Sequence, residues 1–352
     1  MKKIFIGIDF SKEKFDATAI FAENLSTQST KSLHQTFKNT REGFKKFMAW
    51  VAEIAPEVKP EDILVCGENT GIYSELISTL LDAEGYTMWL ESALKIKRSM
   101  GLQRLKSDKA DSAVIAEYAM RFQDKAVAYK PLKPSLKALN EIFKQRAYLV
   151  RIKKGMQVRA KEKCSTEMEM DSAMKFIQKS AARVVKQVDT EIKNCDKRMQ
   201  KIIDSDEELK ATFEIVTSIK GVALQNGTVL LVVTNNFKNF DFNARKLACY
   251  YGVAPFGKDS GTSVHVKPHT SCFADTQIKS LLSEAARCAV VHCTELKQYY
   301  QRLIARGKKK MVALNNVKNK MLHMIVAMVK SGQKYNPNHK AQLALQYEIS
   351  NN

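Results

Sequence analysis

"KIFIGIDFSKEKFDATAIFA", residues 3–22, decides the fold class. An apolar run closes on Asp9, and after a polar interval "KFDATAIFA" alternates well enough to pair back on it as a hairpin. "LHQTFKN" supplies a third strand. "TREGFKKFMAWVAEI" has helical spacing at Phe44, Phe47, Met48 and Val51, with Thr40 as its cap. "DILVCGE" reads as a buried strand ending on Glu68. "IYSELISTLLDAEG" is an amphipathic helix closed by Gly85, and the strand "YTMWLE" follows. A helix from Ser107 or Asp108 to about Phe122 ends the unit. Three strands, helix, strand, helix, strand, helix is an α/β order with a mixed sheet, covering residues 1–125.

Pro131 and Pro134 mark a linker into a different texture. Leu136, Leu139, Phe143, Ala147 and Val150 repeat every three or four residues. After a break near 161–166 the repeat resumes at Met174, Ile177, Ala181, Val184, Val188, Ile192, Cys195, Met199 and Ile202. This predicts an antiparallel coiled-coil arm within residues 126–210, either self-contained or dimerising. Residues 211–335 are read as a mainly helical C-terminal domain. In it "SIKGVALQNGTVLLVV" resembles one hairpin of a helix-hairpin-helix module, whose Gly turn offers N–H groups to a phosphate. The short helix "NARKLACYYG", the segment "VAPFGKDSGTSVHVKPHTS" and two helices to about Lys330 complete it. The tail from Gln333 is polar and is expected to be loose, with residues 336–352 flexible.

The chain has 57 Lys+Arg against 37 Asp+Glu, a formal net charge of +20. Such a surplus favours a polyanionic partner, because each phosphate contact releases counterions. Two stretches concentrate it: residues 130–163 hold eleven Lys/Arg and two acids, and Arg302 to Lys320 holds seven and none. No apolar run approaches the roughly 20 residues of a membrane span, and Asp9 interrupts the only signal-peptide-like start. Seven cysteines without framework spacing suit free thiols in a reducing cytoplasm. His265, His269, Cys272, Cys288, His292 and Cys293 crowd one stretch but contain no C-x-x-C pair. Free thiols and scattered imidazoles are the reading there, and zinc is the alternative.

The acidic residues carry the chemistry. Strands one and four can be sheet neighbours, which would bring Asp9 and Glu68 together at their C-terminal ends. In "SDKADSAVIAEYA", Asp108 and Asp111 lie three apart on one helical face, about 5–6 Å from each other. Each has a plainer role: Asp108 as a helix cap, Glu68 as a turn residue. Converging, the four would repel strongly unless a divalent cation joined them. Hard oxygen ligands suit Mg²⁺ or Mn²⁺. Two such ions about 3.5–4 Å apart can grip the attacking and leaving oxygens of a phosphodiester. "IGIDFSK" is also similar to the phosphate loop of actin-like ATPases, but Phe10-Ser11 stands where that loop has Gly and Thr.

"IGIDFSKEKFDATA", "CGENTGIYSELISTLLDAEGY" and "RLKSDKADSAVIAEYA" resemble the Asp-Glu-Asp-Asp motifs of the insertion-sequence 110 family of transposases. The resemblance continues through "SIKGV" and "LACYYGVAPFGKDSGTSV". It implies a RuvC-like RNase H fold for the N-terminal domain, with Asp9, Glu68, Asp108 and Asp111 as metal ligands. It also implies a C-terminal transposase domain whose serine attacks DNA, acting with the carboxylates across subunits. Within "KDSGTSV" that serine is Ser260, with Ser263 second, although a Ser-Gly pair also reads as an ordinary turn. The family implies as well a structured non-coding guide RNA, donor and target DNA, and a homo-oligomer, dimer or tetramer. A hydrolytic Holliday-junction endonuclease without a covalent step is the alternative, and a scaffold with a decayed site is a third reading.

Overall fold

The computed structural model describes residues 4–21, 32–100, 107–162, 168–260, 264–271 and 273–338. They divide into two compact units, Met1–Pro131 and Leu132–Asn352. The first is built on strands β1 (Ile4–Phe10), β2 (Lys14–Phe21), β3 (Ser32–Lys38), β4 (Ile63–Glu68) and β5 (Thr87–Glu91). Their order in the sheet is β3-β2-β1-β4-β5. β1 is antiparallel to β2 and parallel to β4, so the sheet is mixed as expected. Helices α1 (Arg41–Ile54), α2 (Ile72–Ala83) and α4 (Asp108–Arg121) also match the sequence reading. The short helix α3 (Ala93–Ser99) does not appear in that reading. Its seven residues span barely two turns, too few to display a periodicity.

Strand alternation sorts the side chains into two cores. Ile4, Ile6, Ile8, Phe15, Val65 and Met88 pack with Phe44, Phe47 and Trp50 of α1 and Ile77 of α2. Phe5, Leu64, Cys66 and Trp89 face the other way and pack with Ile115, Tyr118 and Ala119 of α4. Gly7 lies on this second face, between Phe5 and Asp9 on the strand. A β-carbon there would stand 2.2 Å from both the Ala116 nitrogen and the Ser112 carbonyl oxygen. The missing side chain lets the α4 backbone lie directly on β1. Thr18 of β2 locks the contact, its hydroxyl 2.7 Å from that of Ser112 in the buried interface.

The second unit begins with α5 (Pro134–Lys161) and α6 (Met168–Asp204). Lys153–Asp189 and Arg146–Asp196, each at 2.6 Å, run in opposite directions along the two helices, so the pair is antiparallel. The base of this hairpin is a core, where Leu136 and Leu139 meet Met199, Ile202 and Ile203 with Leu209 and Leu231, and Ala181, Val188 and Ile192 of the expected seam are buried as well. Val184, placed in the expected seam, is 38% exposed. α7 (Glu207–Thr217), α8 (Leu224–Val233) and α9 (Ala244–Tyr250) follow. Gly221, between α7 and α8, has a left-handed φ of 102°, and a β-carbon there would meet the Ala285 carbonyl at 2.4 Å.

Three features depart from the sequence reading of this unit. "VAPFGKDSGTSVHVKPHTS" contains a hairpin, β6 (Pro255–Ser260) and β7 (Val264–Thr270), with an irregular register between Phe256 and Lys258. Its prolines and glycines obscured the strands; Pro255 is tolerated as the first residue of its strand. Beyond it stand three helices rather than two: α10 (Thr276–His292), α11 (Thr294–Ala305) and α12 (Lys310–Ser331). The break at Gly307 is legible, whereas that at Cys293 is an extended residue in a run without Gly or Pro. The start of the tail is anchored: the Tyr335 N–H donates to Ser218 Oγ at 2.8 Å, and its hydroxyl lies 3.2 Å from Cys293 Sγ. Residues 339–352 lie outside the described residues.

Gly7→Ala tests the close approach of α4. The added methyl has only backbone to displace, so we expect a loss of about 1–3 kcal/mol in urea unfolding. An unchanged midpoint would refute the contact.

Candidate active site

Asp9 is the penultimate residue of β1 and Glu68 the last of β4. The parallel register pairs Ile8 with Gly67, so Asp9 and Glu68 stand side by side at the next position. Both point to the α4 face of the sheet, being in phase with Phe5 and Gly7 and with Leu64 and Cys66. α4 brings Asp108 and Asp111 in its first turn. The N-cap is Ser107 rather than Asp108: Ser107 Oγ accepts the Ala110 N–H at 3.2 Å. Asp108 is thereby released from capping.

Two further carboxylates extend this row, and the sequence reading missed both. Asp16 of β2 pairs with Asp9 across the antiparallel register. Glu91 of β5 pairs with Glu68 across the parallel one. The row Asp16–Asp9–Glu68–Glu91 thus crosses four adjacent strands. Its outer members are compensated. Asp16, 5% exposed, accepts the Thr36 hydroxyl at 2.5 Å, with Lys14 Nζ at 3.2 Å and His34 Nε2 at 3.3 Å. Glu91 pairs with Lys95 at 2.5 Å and accepts the Ser92 N–H at 2.8 Å. The period-two alternation in "KFDATA" and "YTMWLE" was the available signal, but it acquires meaning only once the strand order is known.

The inner members are different. Among the described residues neither Asp9 nor Glu68 has a cation partner. Burial, then Glu68, Asp111, Asp108 and Asp16 in turn, push the Asp9 carboxyl up to about 6. Burial and Asp111 push Glu68 up as well. Asp108 goes the other way, held below the usual carboxylate range by Lys14, whose Nζ donates to it at 2.7 Å. Lys14 therefore bridges Asp108 on α4 and Asp16 on β2.

The second unit carries the predicted nucleophile. Ser260 ends β6, its backbone paired with Val264. Ser263 lies outside the described residues, as does Cys272 of the His/Cys stretch. Among the described residues no three His, Cys, Asp or Glu side chains are gathered closely enough to hold a metal ion. That applies to the four carboxylates as they stand and to His269, Cys288, His292 and Cys293. No helix among the described residues is long and apolar enough to cross a membrane.

A family profile described as "Transposase", of the IS110 Asp-Glu-Asp-Asp type, matches residues 6–163. A second, described as "Transposase IS116/IS110/IS902 family", matches residues 213–301. The chain belongs to the IS110 family of transposases. It is a DNA transposase. Pilin gene-inverting proteins of Moraxella lacunata and Moraxella bovis are each 23% identical to it over 340 residues, spanning 95% of this chain and 98% of theirs. An uncharacterized 43.6 kDa protein of insertion element IS110 from Streptomyces coelicolor is 32% identical over 121 residues, 34% of the transposase and 29% of that protein.

A family of this type suggests a divalent metal. The donor set fits one chemically: hard oxygens, two of them without a counter-charge among the described residues and raised by burial and by neighbouring carboxylates.

The raised Asp9 carboxyl has a sign that can be measured. Between about 4 and 6 the folded chain holds this proton more tightly than the unfolded chain, so stability falls as pH rises through that window. Without divalent metal, Asp9→Asn should raise the melting temperature at pH 7.5 and leave it unchanged near pH 3.5. Asp9 is only half-buried, so screening leaves about 1 kcal/mol, worth about 2–4 °C. Added Mg²⁺ should stabilise the wild type and not the variant.

Proposed function

We propose that the transposase cuts and exchanges DNA strands by a serine nucleophile working with a RuvC-like, RNase H-like metal site. The observation that carries this is the uncompensated pair Asp9 and Glu68 at adjacent strand ends, with Asp108 and Asp111 across from them on α4. The mixed sheet order β3-β2-β1-β4-β5 supports the RNase H-like assignment. Asp9, Glu68, Asp108 and Asp111 would hold Mg²⁺ or Mn²⁺, which when bound supplies Lewis-acid stabilisation of the attacking and leaving oxygens. Lys14 restrains Asp108 until it takes that role.

Ser260 Oγ attacks the scissile phosphorus and gives up its proton. The bond from phosphorus to the leaving deoxyribose oxygen breaks, and that oxygen takes up a proton. The serine ester retains the phosphodiester energy, and attack by a hydroxyl of a second strand frees Ser260 and rejoins the DNA. The position of Ser260 at a paired strand end supports it over Ser263. The inversion named for the Moraxella relatives is itself a strand-exchange outcome, which favours this reading over plain hydrolysis.

In this reading residues 1–125 are the catalytic domain, 126–210 the arm, 211–335 the transposase domain with its helix-hairpin-helix-like turn, and 336–352 a tail. The +20 charge supports a structured guide RNA as partner beside DNA: specificity delegated to base pairing leaves the protein only backbone and shape to hold. Exposed apolar side chains in the outer half of the α5–α6 hairpin support a homo-oligomer built through the arm. Val158 is 64% and Phe176 66% exposed.

Incubation with Mg²⁺ and cognate element DNA, followed by denaturing electrophoresis, should trap a protein–DNA adduct. Ser260→Ala should abolish it, and Asp111→Asn should abolish it while leaving DNA binding nearly intact. Free cut ends without adduct in the wild type would replace this reading with the hydrolytic one. Separately, Val158→Lys combined with Phe176→Lys should lower the mass seen by light scattering to that of one chain; an unchanged mass would rule out the arm as the contact.

A further inference from the structure

The run from Arg302 to Lys320 holds seven cations and no acid, and a run of that kind is ordinarily a solvated face. Lys318 departs from it. Midway along α12 it is only 5% exposed, and its ammonium turns inward to α10, donating to Ser283 Oγ at 3.1 Å. Ser283 in turn donates to the Lys279 carbonyl at 2.7 Å, which leaves its oxygen free to accept from Lys318. Lys279, Ser283 and Arg287 are spaced four residues apart and share one face of α10. Lys279 reaches the Thr270 hydroxyl at the end of β7, at 3.4 Å. Arg287 is exposed and pairs with Glu284.

The charges around Lys318 do not balance. Among the described residues it has no carboxylate partner, and its charged neighbours are Lys279 and Arg287. Burial and those two cations hold its ammonium below the usual lysine range. A cation taken out of water keeps its charge only against a counter-charge, and here the nearest acceptor is one hydroxyl. The cluster is graded in exposure: Lys318 is buried, Lys279, Ser283 and Thr270 are half-buried, and Arg287 is exposed. A tetrahedral anion reaching the cluster beside Arg287, in exchange for Glu284, would meet three cations and the Thr270 hydroxyl.

We propose that Lys279, Ser283 and Arg287 of α10, with Lys318 of α12 and Thr270 of β7, form a binding site for a phosphodiester group of a nucleic-acid backbone, separate from the carboxylate row. The site rests on the transposase acting on nucleic acid, and it adds a phosphate contact within the second unit. The backbone of DNA and that of RNA offer the same group.

The test is fluorescence anisotropy of the full-length protein with labelled duplex DNA and with a labelled RNA hairpin, each over a series of KCl concentrations. Lys318→Met keeps the aliphatic stem. It should weaken binding several-fold regardless of sequence and reduce the slope of log K against log salt by about one. Its melting temperature should equal or exceed that of the wild type. A loss confined to one probe names the source of the phosphate, and both outcomes support the site. A folded Lys318→Met variant with wild-type affinity and slope for both probes overturns it. If that variant does not fold, Lys279→Gln combined with Arg287→Gln must show the reduced slope, and its absence overturns the site equally. Wild-type protein that binds neither probe overturns the nucleic-acid reading and the site with it. A salt-slope difference in a protein that forms no serine adduct overturns the serine reading and supports this one.

Discussion

The first unit depends on one close contact, the backbone of α4 against Gly7 of β1. A helix normally stands off a sheet by the depth of two layers of side chains. Here a β-carbon would collide with both Ser112 and Ala116, so the helix drops onto the strand and its first turn arrives beside the strand ends. The buried Thr18–Ser112 hydrogen bond holds the same contact from β2. Asp108 and Asp111 thus approach Asp9 because a glycine two residues upstream of it has no side chain.

What that contact assembles is an electrostatic imbalance with a definite shape. Carboxylates stand at the ends of four adjacent strands, and among the described residues only the outer two are compensated, with Lys14, Thr36 and His34 on one side and Lys95 on the other. The inner two are left raised, Asp9 by burial and then by Glu68 and the aspartates of α4, Glu68 by burial and Asp111. Lys318 presents the opposite imbalance in the second unit, a buried cation among cations. Each is a place where folding leaves charge without an answering partner among the described residues.

Much of the first unit was legible because its elements are separated by clean signals. Thr40 caps α1 as read, accepting the Gly43 N–H, and Gly85 closes α2 in the left-handed conformation that favours glycine. The second unit was read less well where the signals fail. Cys293 breaks a helical run through an extended backbone that no residue type announces. Pro255, Gly257 and Pro268 disguised a hairpin as a loop, since they discourage strands in general and are accommodated here at a strand start and an irregular register. The heptad seam was right in direction, yet Val184 lies exposed: a repeat reports which residues could be buried, not whether a partner covers them.

The sequence by itself determined the α/β order, the four motif carboxylates, the antiparallel arm, the family resemblance and the excess of positive charge. These are local or additive properties, carried by spacing, by residue type and by counting. Only the tertiary structure decided that Asp16 and Glu91 extend the row, that Ser107 rather than Asp108 caps α4, and that Lys318 of its run is buried. Those facts depend on strand order and helix docking, which bring together residues such as Lys14 and Asp108, 94 positions apart. No window along the chain contains such a pair.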